Sequence, residues 1–210
     1  MGIKDILNKV TEHVKAAAGE ESVDKTFHNE QQYPDAATAR QEFERAKQKL
    51  FQVDRWSDLS GINSTFALYD AQGAKKNTPE PAVGDYVQII LPASTIENWV
   101  MITDLKQEEN RAEFTVHPSE NPQKHTKSAA ETQHFFGSEA SSTFRVELKG
   151  LTLRAYEIGQ NERANNQGAE SGDREVLNTM ISAGGWAAFQ ALQWNKLTAY
   201  LVHLEEAKEA

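Results

Sequence analysis

The 210 residues contain no cysteine, which excludes disulfides, thiol catalysis and thiolate metal sites while leaving the redox compartment open. No apolar run approaches the roughly 20 residues that a membrane-spanning helix requires. Positive charge is in deficit: 22 basic against 31 acidic residues leave a formal net charge of -9. Bulk charge therefore opposes binding to nucleic acid or to an anionic membrane, whose phosphates need a basic footprint. The six histidines are scattered, with no pair at the i, i+4 spacing that sets two imidazoles on one helical face, so no metal is expected; the one arrangement left open is His117 and His134 with Glu113 or Glu131. A phosphate-cradling glycine loop is also missing. Gly184-Gly185-Trp186 lies inside a helical pattern rather than after a strand, and Gly61 to Ser64 lacks the setting of a nucleophile elbow. No cofactor is implied.

What is present has the composition of a folded protein, 39% hydrophobic and 25% charged. The first residues mix acids and bases and lack the apolar core of a signal peptide, so the expectation is a cytoplasmic protein. Ile3, Ile6, Leu7, Val10 and Val14 recur at helical spacing and mark residues 1–21 as an amphipathic helical extension. Its stripe needs cover from the body of the domain or from a second subunit, which leaves a homo-oligomer open. Residues 22–210 read as a single domain.

The clearest signal is Ser138 to Glu162, two alternating runs joined at Lys149-Gly150 and expected to form a long β-hairpin. With the turn at that dipeptide, Leu148 faces Leu151, Val146 faces Leu153, Phe144 faces Ala155 and Ser142 faces Glu157. The other side carries Thr143, Arg145, Glu147, Thr152, Arg154 and Tyr156, the mixed polar set of a sheet face meeting water.

Upstream, Ser22 to Gln32 reads as a short strand, and Pro34-Asp35 opens a helix with Asp35 as its N-cap. Trp56 and Leu59 plug a short turn. Strands follow over Ile62–Tyr69, Val83–Leu91, Asn98–Leu105 and Arg111–His117, then a mobile loop over Pro118–Gln133. From Asp173 the pattern is helical, broken at Gly184-Gly185 and loaded with apolar residues to Leu204.

This order defines an α+β fold: an antiparallel sheet of six to seven strands curved around a long C-terminal helix, with the helical extension before it. Together with Trp56-Ser57-Asp58-Leu59-Ser60-Gly61 and Val83 to Ile89, it resembles the helix-grip superfamily, which includes START domains, pollen-allergen-like proteins and polyketide cyclase-like proteins. The resemblance implies a bent sheet, an apolar cavity between sheet and helix, and an apolar or amphipathic ligand there. It carries no catalytic signature onto any residue.

The chemistry concentrates on Glu157, whose register points a carboxylate into the apolar side of the sheet. Such a group raises its pKa, which suits a general acid or base, unless it lies near the open end of the strand and is solvated or pairs with a cation such as Arg55 or Lys196. Those are the plainer readings, since structural ion pairs also perturb pKa values. The polar run Gly159 to Asn166 follows directly. The expected ligand contacts are Glu157, Ser142 and Asn161, which orient the molecule, with Phe144, Trp99 and Phe189 among the aromatics that enclose it. Most other large aromatics belong to the core. Two further readings are a cyclase- or hydrolase-type enzyme using Glu157, and an interaction protein with a filled core that presents Ile6, Val10 and Val14.

Overall fold

A computed structural model of the chain describes residues 23–61, 64–91, 97–123, 138–162 and 185–208. The expected helical extension and most of the expected Pro118–Gln133 loop, with His134 after it, lie outside the described residues, as do residues 163–184, with the helical pattern expected from Asp173 to Gly184.

Seven antiparallel strands form one open sheet. They are β1 (Val23–Gln32), β2 (Thr65–Tyr69), β3 (Tyr86–Ile90), β4 (Glu97–Glu108), β5 (Arg111–Ser119), β6 (Ser141–Lys149) and β7 (Thr152–Glu162), in the spatial order β1-β7-β6-β5-β4-β3-β2. Helix α1 (Ala36–Phe51) leaves β1 through the expected cap: Asp35 is extended, and its carboxylate accepts the Thr38 N–H at 2.8 Å. Ala39, Phe43, Ala46 and Leu50 recur at helical spacing and are buried. A 3₁₀ turn (Val53–Asp58) follows and is sewn to β2, where Asp54 accepts the Leu68 N–H at 3.0 Å and Ser57 Oγ accepts the Phe66 N–H at 2.9 Å. The C-terminal helix α2 (Gly185–Leu201) packs on β1 and β7. Asn29 helps to seat it, donating to Thr198 Oγ1 at 2.9 Å and to the Asn195 carbonyl at 3.1 Å.

The α+β class and the sheet with its C-terminal helix are as the element order predicts, and the layout is consistent with a helix-grip arrangement. Strand ends differ locally. The β5 strand runs on through Pro118 and Ser119, which the sequence reading placed in a loop. Beyond Val116 that strand pairs with β4 alone. Its other edge needs no ladder N–H there, so proline is tolerated.

The organising hairpin is β6–β7, with its register two positions away from the expected one. Its turn is Gly150-Leu151, so Lys149 pairs with Thr152, Val146 with Ala155, Phe144 with Glu157 and Ser142 with Gly159. Gly150, at φ 64, occupies the first central position, where hairpin turns of the primed types demand a positive φ. Moving the turn by one residue changes each pairing by two positions. The faces are therefore kept: Val146, Leu153 and Ala155 are buried inward, while Thr143, Arg145 and Tyr156 face out.

Candidate functional site

Alternation along β7 turns Leu153, Ala155, Glu157 and Gly159 inward. At its end the pattern breaks. Val23 pairs with Glu162 and Lys25 with Gly159, so three steps on β7 oppose two on β1. Asn161 absorbs the extra residue in a left-handed conformation (φ 53), with its backbone N–H donating to Asp24 Oδ1 at 2.9 Å. The bulge re-aims Glu162, which simple alternation would send to solvent. It is 3% exposed, on the same face as Glu157, which is fully buried.

The two carboxylates have unequal surroundings. Lys25 Nζ lies 3.3 Å from Glu162 Oε2 and donates to Gln190 Oε1 at 2.5 Å; Gln190 Nε2 donates to the same Glu162 oxygen at 3.1 Å. Neither oxygen of Glu157 has a hydrogen-bond partner among the described residues. Ser142 comes close enough to favour the charged form slightly, without reaching hydrogen-bond geometry. Burial, reinforced by the charge of Glu162, pushes the Glu157 carboxyl well above the usual carboxylate range, against weaker opposition from Ser142 and Lys25. Burial raises Glu162 too, while Lys25 and Gln190 oppose it. With cation and amide bonded to Glu162, Glu157 is the member of the pair that holds its proton to the higher pH. The suggested partners of Glu157 are engaged elsewhere: Arg55 with Asp58 at 3.0 Å and Lys196 with Glu205 at 2.5 Å.

Beside this cluster is a hollow of about 90 Å³ between β2–β6, the 3₁₀ turn and α2. Its aromatic wall is a contiguous set of rings. Phe144 lies 5.0 Å from Trp56, 5.4 Å from Phe114 and 5.5 Å from Trp194, and Phe66 stands edge-on to Trp56 at 5.6 Å. The Trp56 indole is held by its Nε1–H to the Lys49 carbonyl at 3.1 Å. Four polar residues reach the lining: Asn98 on β4, Ser142 on β6, and Gln190 and Gln193 on α2, the last accepting the Ser64 hydroxyl at 2.6 Å. The Nε1–H of Trp194, also in the wall, is buried without a hydrogen-bond partner among the described residues.

The residues expected at the site fall in different places. Ser142 and Phe144 line the hollow. Glu157 is absent from the lining and stands across the strand from Phe144. Trp99 borders the hollow, but its ring packs on Tyr69 at 4.8 Å. In the β3 ladder its neighbour Val100 pairs with buried Val87 and Trp99 with Gln88, so the ring projects from the opposite face of the sheet. Asn161 is exposed at the bulge. Phe189 belongs to α2, and its side chain lies outside the described part of the structure. Sequence reasoning took Glu162 only as one member of the polar run from Gly159 to Asn166, not as a buried group, and missed Lys25, Gln190 and Gln193. Glu162 left a further trace in Gly159 and Asn161 near the end of a strand, the residue types a bulge recruits.

Metal-type clusters are absent among the described residues. His117 Nδ1 is hydrogen-bonded with Thr103 Oγ1 at 2.9 Å, and Glu113 is clasped by Arg111 and Arg145. Nor is any described helix long and apolar enough to cross a membrane.

The class these observations define is an α+β chain with an open seven-stranded antiparallel sheet and a C-terminal helix. No protein-family model matches the sequence, and no curated protein matches it. Among solved structures, a hypothetical protein from Helicobacter pylori is similar at 14% identity and a TM-score of 0.47, covering 89% of this chain and 92% of its own. Major latex-like protein 151 of Panax ginseng aligns at 13% identity and a TM-score of 0.42, covering 85% and 97%. Norcoclaurine synthase of Thalictrum flavum, in complex with dopamine and hydroxybenzaldehyde, aligns at 12% and 0.42, covering 92% and 93%. Similarity at this level assigns no ligand or activity to the chain.

Proposed function

We infer that this protein binds a small, uncharged, largely apolar molecule in the hollow between β2–β6 and α2, with Ser142, Gln190 and Gln193 orienting it. The observation that carries the reading is the character of the wall. Twelve of the sixteen lining residues are apolar and none carries a charge. A wall of rings with a few convergent polar groups is the usual composition of a small-molecule site. A charged ligand would lose its hydration there with no countercharge in the lining. Phe144 and Ser142 meet the ligand directly in this reading, whereas Glu157 acts from behind them and Asn161 acts by holding the bulge.

Trp56 and Trp194 stand in the wall, so binding reports on itself. Titration with acetophenone, a neutral single-ring ketone, should change tryptophan fluorescence saturably and raise Tm. Val116→Phe, which fills the hollow from β5, should abolish both effects while the protein stays folded. Unsaturable quenching that is the same in that variant would sink the reading.

The enzyme reading has one feature in its favour, the buried Glu157 carboxyl, which burial pushes well above the usual carboxylate range. The same carboxyl stands outside the lining, so direct proton transfer to a molecule in the hollow is not supported. Binding is the preferred function.

A further inference from the structure

Gln190 belongs to two structures at once. Its amide joins Lys25 to Glu162, and the same residue lines the hollow. It is also the tie between α2 and the bulged corner of β1 and β7. The groups facing the carboxylate pair from each element can be named. The β1 strand contributes Lys25 and, at the bulge, Asp24; β6 contributes Ser142 and Phe144, neither charged. From α2 comes Gln190, while the helix's Lys196 is bound to Glu205. Lys49, the buried cation of α1, is committed to the Tyr200 carbonyl and to Glu206, both at 3.0 Å. Among the described residues, Lys25 is thus the single cation available to two buried carboxylates.

Building on the binding function inferred above, we propose that uptake of the ligand is linked to one proton held by the Glu157–Glu162 pair. With the proton on Glu157, one carboxylate faces one ammonium, and Gln190 braces α2 against the sheet. When the proton leaves, the second carboxylate competes for Lys25. The ammonium turns toward Glu157, its hydrogen bond to Gln190 is lost, and the α2 side of the hollow loses its brace. The ligand-binding form is the protonated one, so binding draws a proton from solvent, and affinity falls as pH rises.

The test uses the full chain and acetophenone, which does not titrate between pH 4 and 9. In the wild type, the association constant should be level at low pH and decline by up to tenfold per pH unit once the pair begins to lose its proton. Glu157→Gln, which cannot ionise, should keep the low-pH affinity up to pH 9. A second measurement needs no variant: calorimetry in buffers of different ionisation enthalpy should show proton uptake approaching one per ligand at high pH. Affinity independent of pH, binding with no proton uptake, or an unchanged pH profile in Glu157→Gln would each overturn the linkage while leaving the binding site standing. Absence of acetophenone binding at every pH would overturn the binding function, and this inference with it.

Discussion

Replacing Glu157 by glutamine should change the pH dependence of stability, and the sign can be worked out in advance. In the unfolded chain a glutamate titrates near 4.5, whereas in the folded protein burial holds the Glu157 proton to higher pH. Between those two values the native state binds more protons than the unfolded state, so stability falls as pH rises. This contribution is fully present below about pH 4.5 and lost progressively up to the folded pKa. The slope for one group is about 1.4 kcal/mol per pH unit. Two pH units of that slope amount to about 3 kcal/mol, or roughly 5–10 °C in Tm for a chain of this size. His203 acts oppositely. Burial, only partly offset by the Glu42 carbonyl, lowers its pKa, so it adds stability as pH rises toward its ordinary 6.5 and nothing beyond. The decisive quantity is therefore the difference between wild type and Glu157→Gln, measured by urea denaturation from pH 4.5 to 8.5, in which the His203 contribution cancels. The buried amide contributes a constant offset at every pH, and only the slope tests the argument. A wild-type minus variant difference that stays flat across this range would refute the assignment of the proton to Glu157.

Other substitutions probe neighbouring parts of the site. A methyl group added at Gly159 would collide with the Glu162 carboxylate, so Gly159→Ala should cost about 1–3 kcal/mol in chemical denaturation and less in a Glu162→Ala background. Lys25→Met leaves Glu162 without its cation and should destabilise by about 3–5 kcal/mol at pH 8, with a smaller effect at pH 4.5. Ser64→Ala strands the Gln193 acceptor and should cost about 1–3 kcal/mol, read from the urea midpoint. Phe144→Ala removes the ring shared by Trp56, Phe114 and Trp194; it should cost about 3–5 kcal/mol and admit ligands larger than acetophenone.

How much of this was legible in the chain depends on the range of the interaction concerned. Asp35 declares its cap within three residues, and the alternation from Ser142 to Glu157 declares which side chains share a face. Both are local, set by hydrogen-bond geometry and the two-residue period of a strand. The inward aim of Glu157 followed from that period alone and survived the displaced turn, because a two-position change of register leaves the faces intact; that it is buried there rather than solvated at the strand end was decided by the fold. The partner across from it did not survive. Whether Lys149-Gly150 or Gly150-Leu151 forms the turn rests on one glycine's freedom to take a positive φ, and either choice satisfies the pattern.

The second carboxylate was hidden for a different reason. Counting by twos from Glu157 sends Glu162 to solvent, and only the extra residue at Asn161, paired against β1 more than a hundred positions away, returns it to the inside. Lys25 and Gln190 come from opposite ends of the chain, and nothing local to Trp99 says that its ring packs on Tyr69. A face is defined by what packs on it, and a single strand does not contain that information. The sequence by itself determined the class of elements, their order and the presence of one carboxylate on an apolar face, since each is written in local period and composition. The tertiary structure decided that this carboxylate has a neighbour, that the neighbour holds the ammonium of Lys25, and that the amide joining ammonium and neighbour stands in the wall of a hollow, since contacts between distant segments exist only once the sheet and α2 have come together.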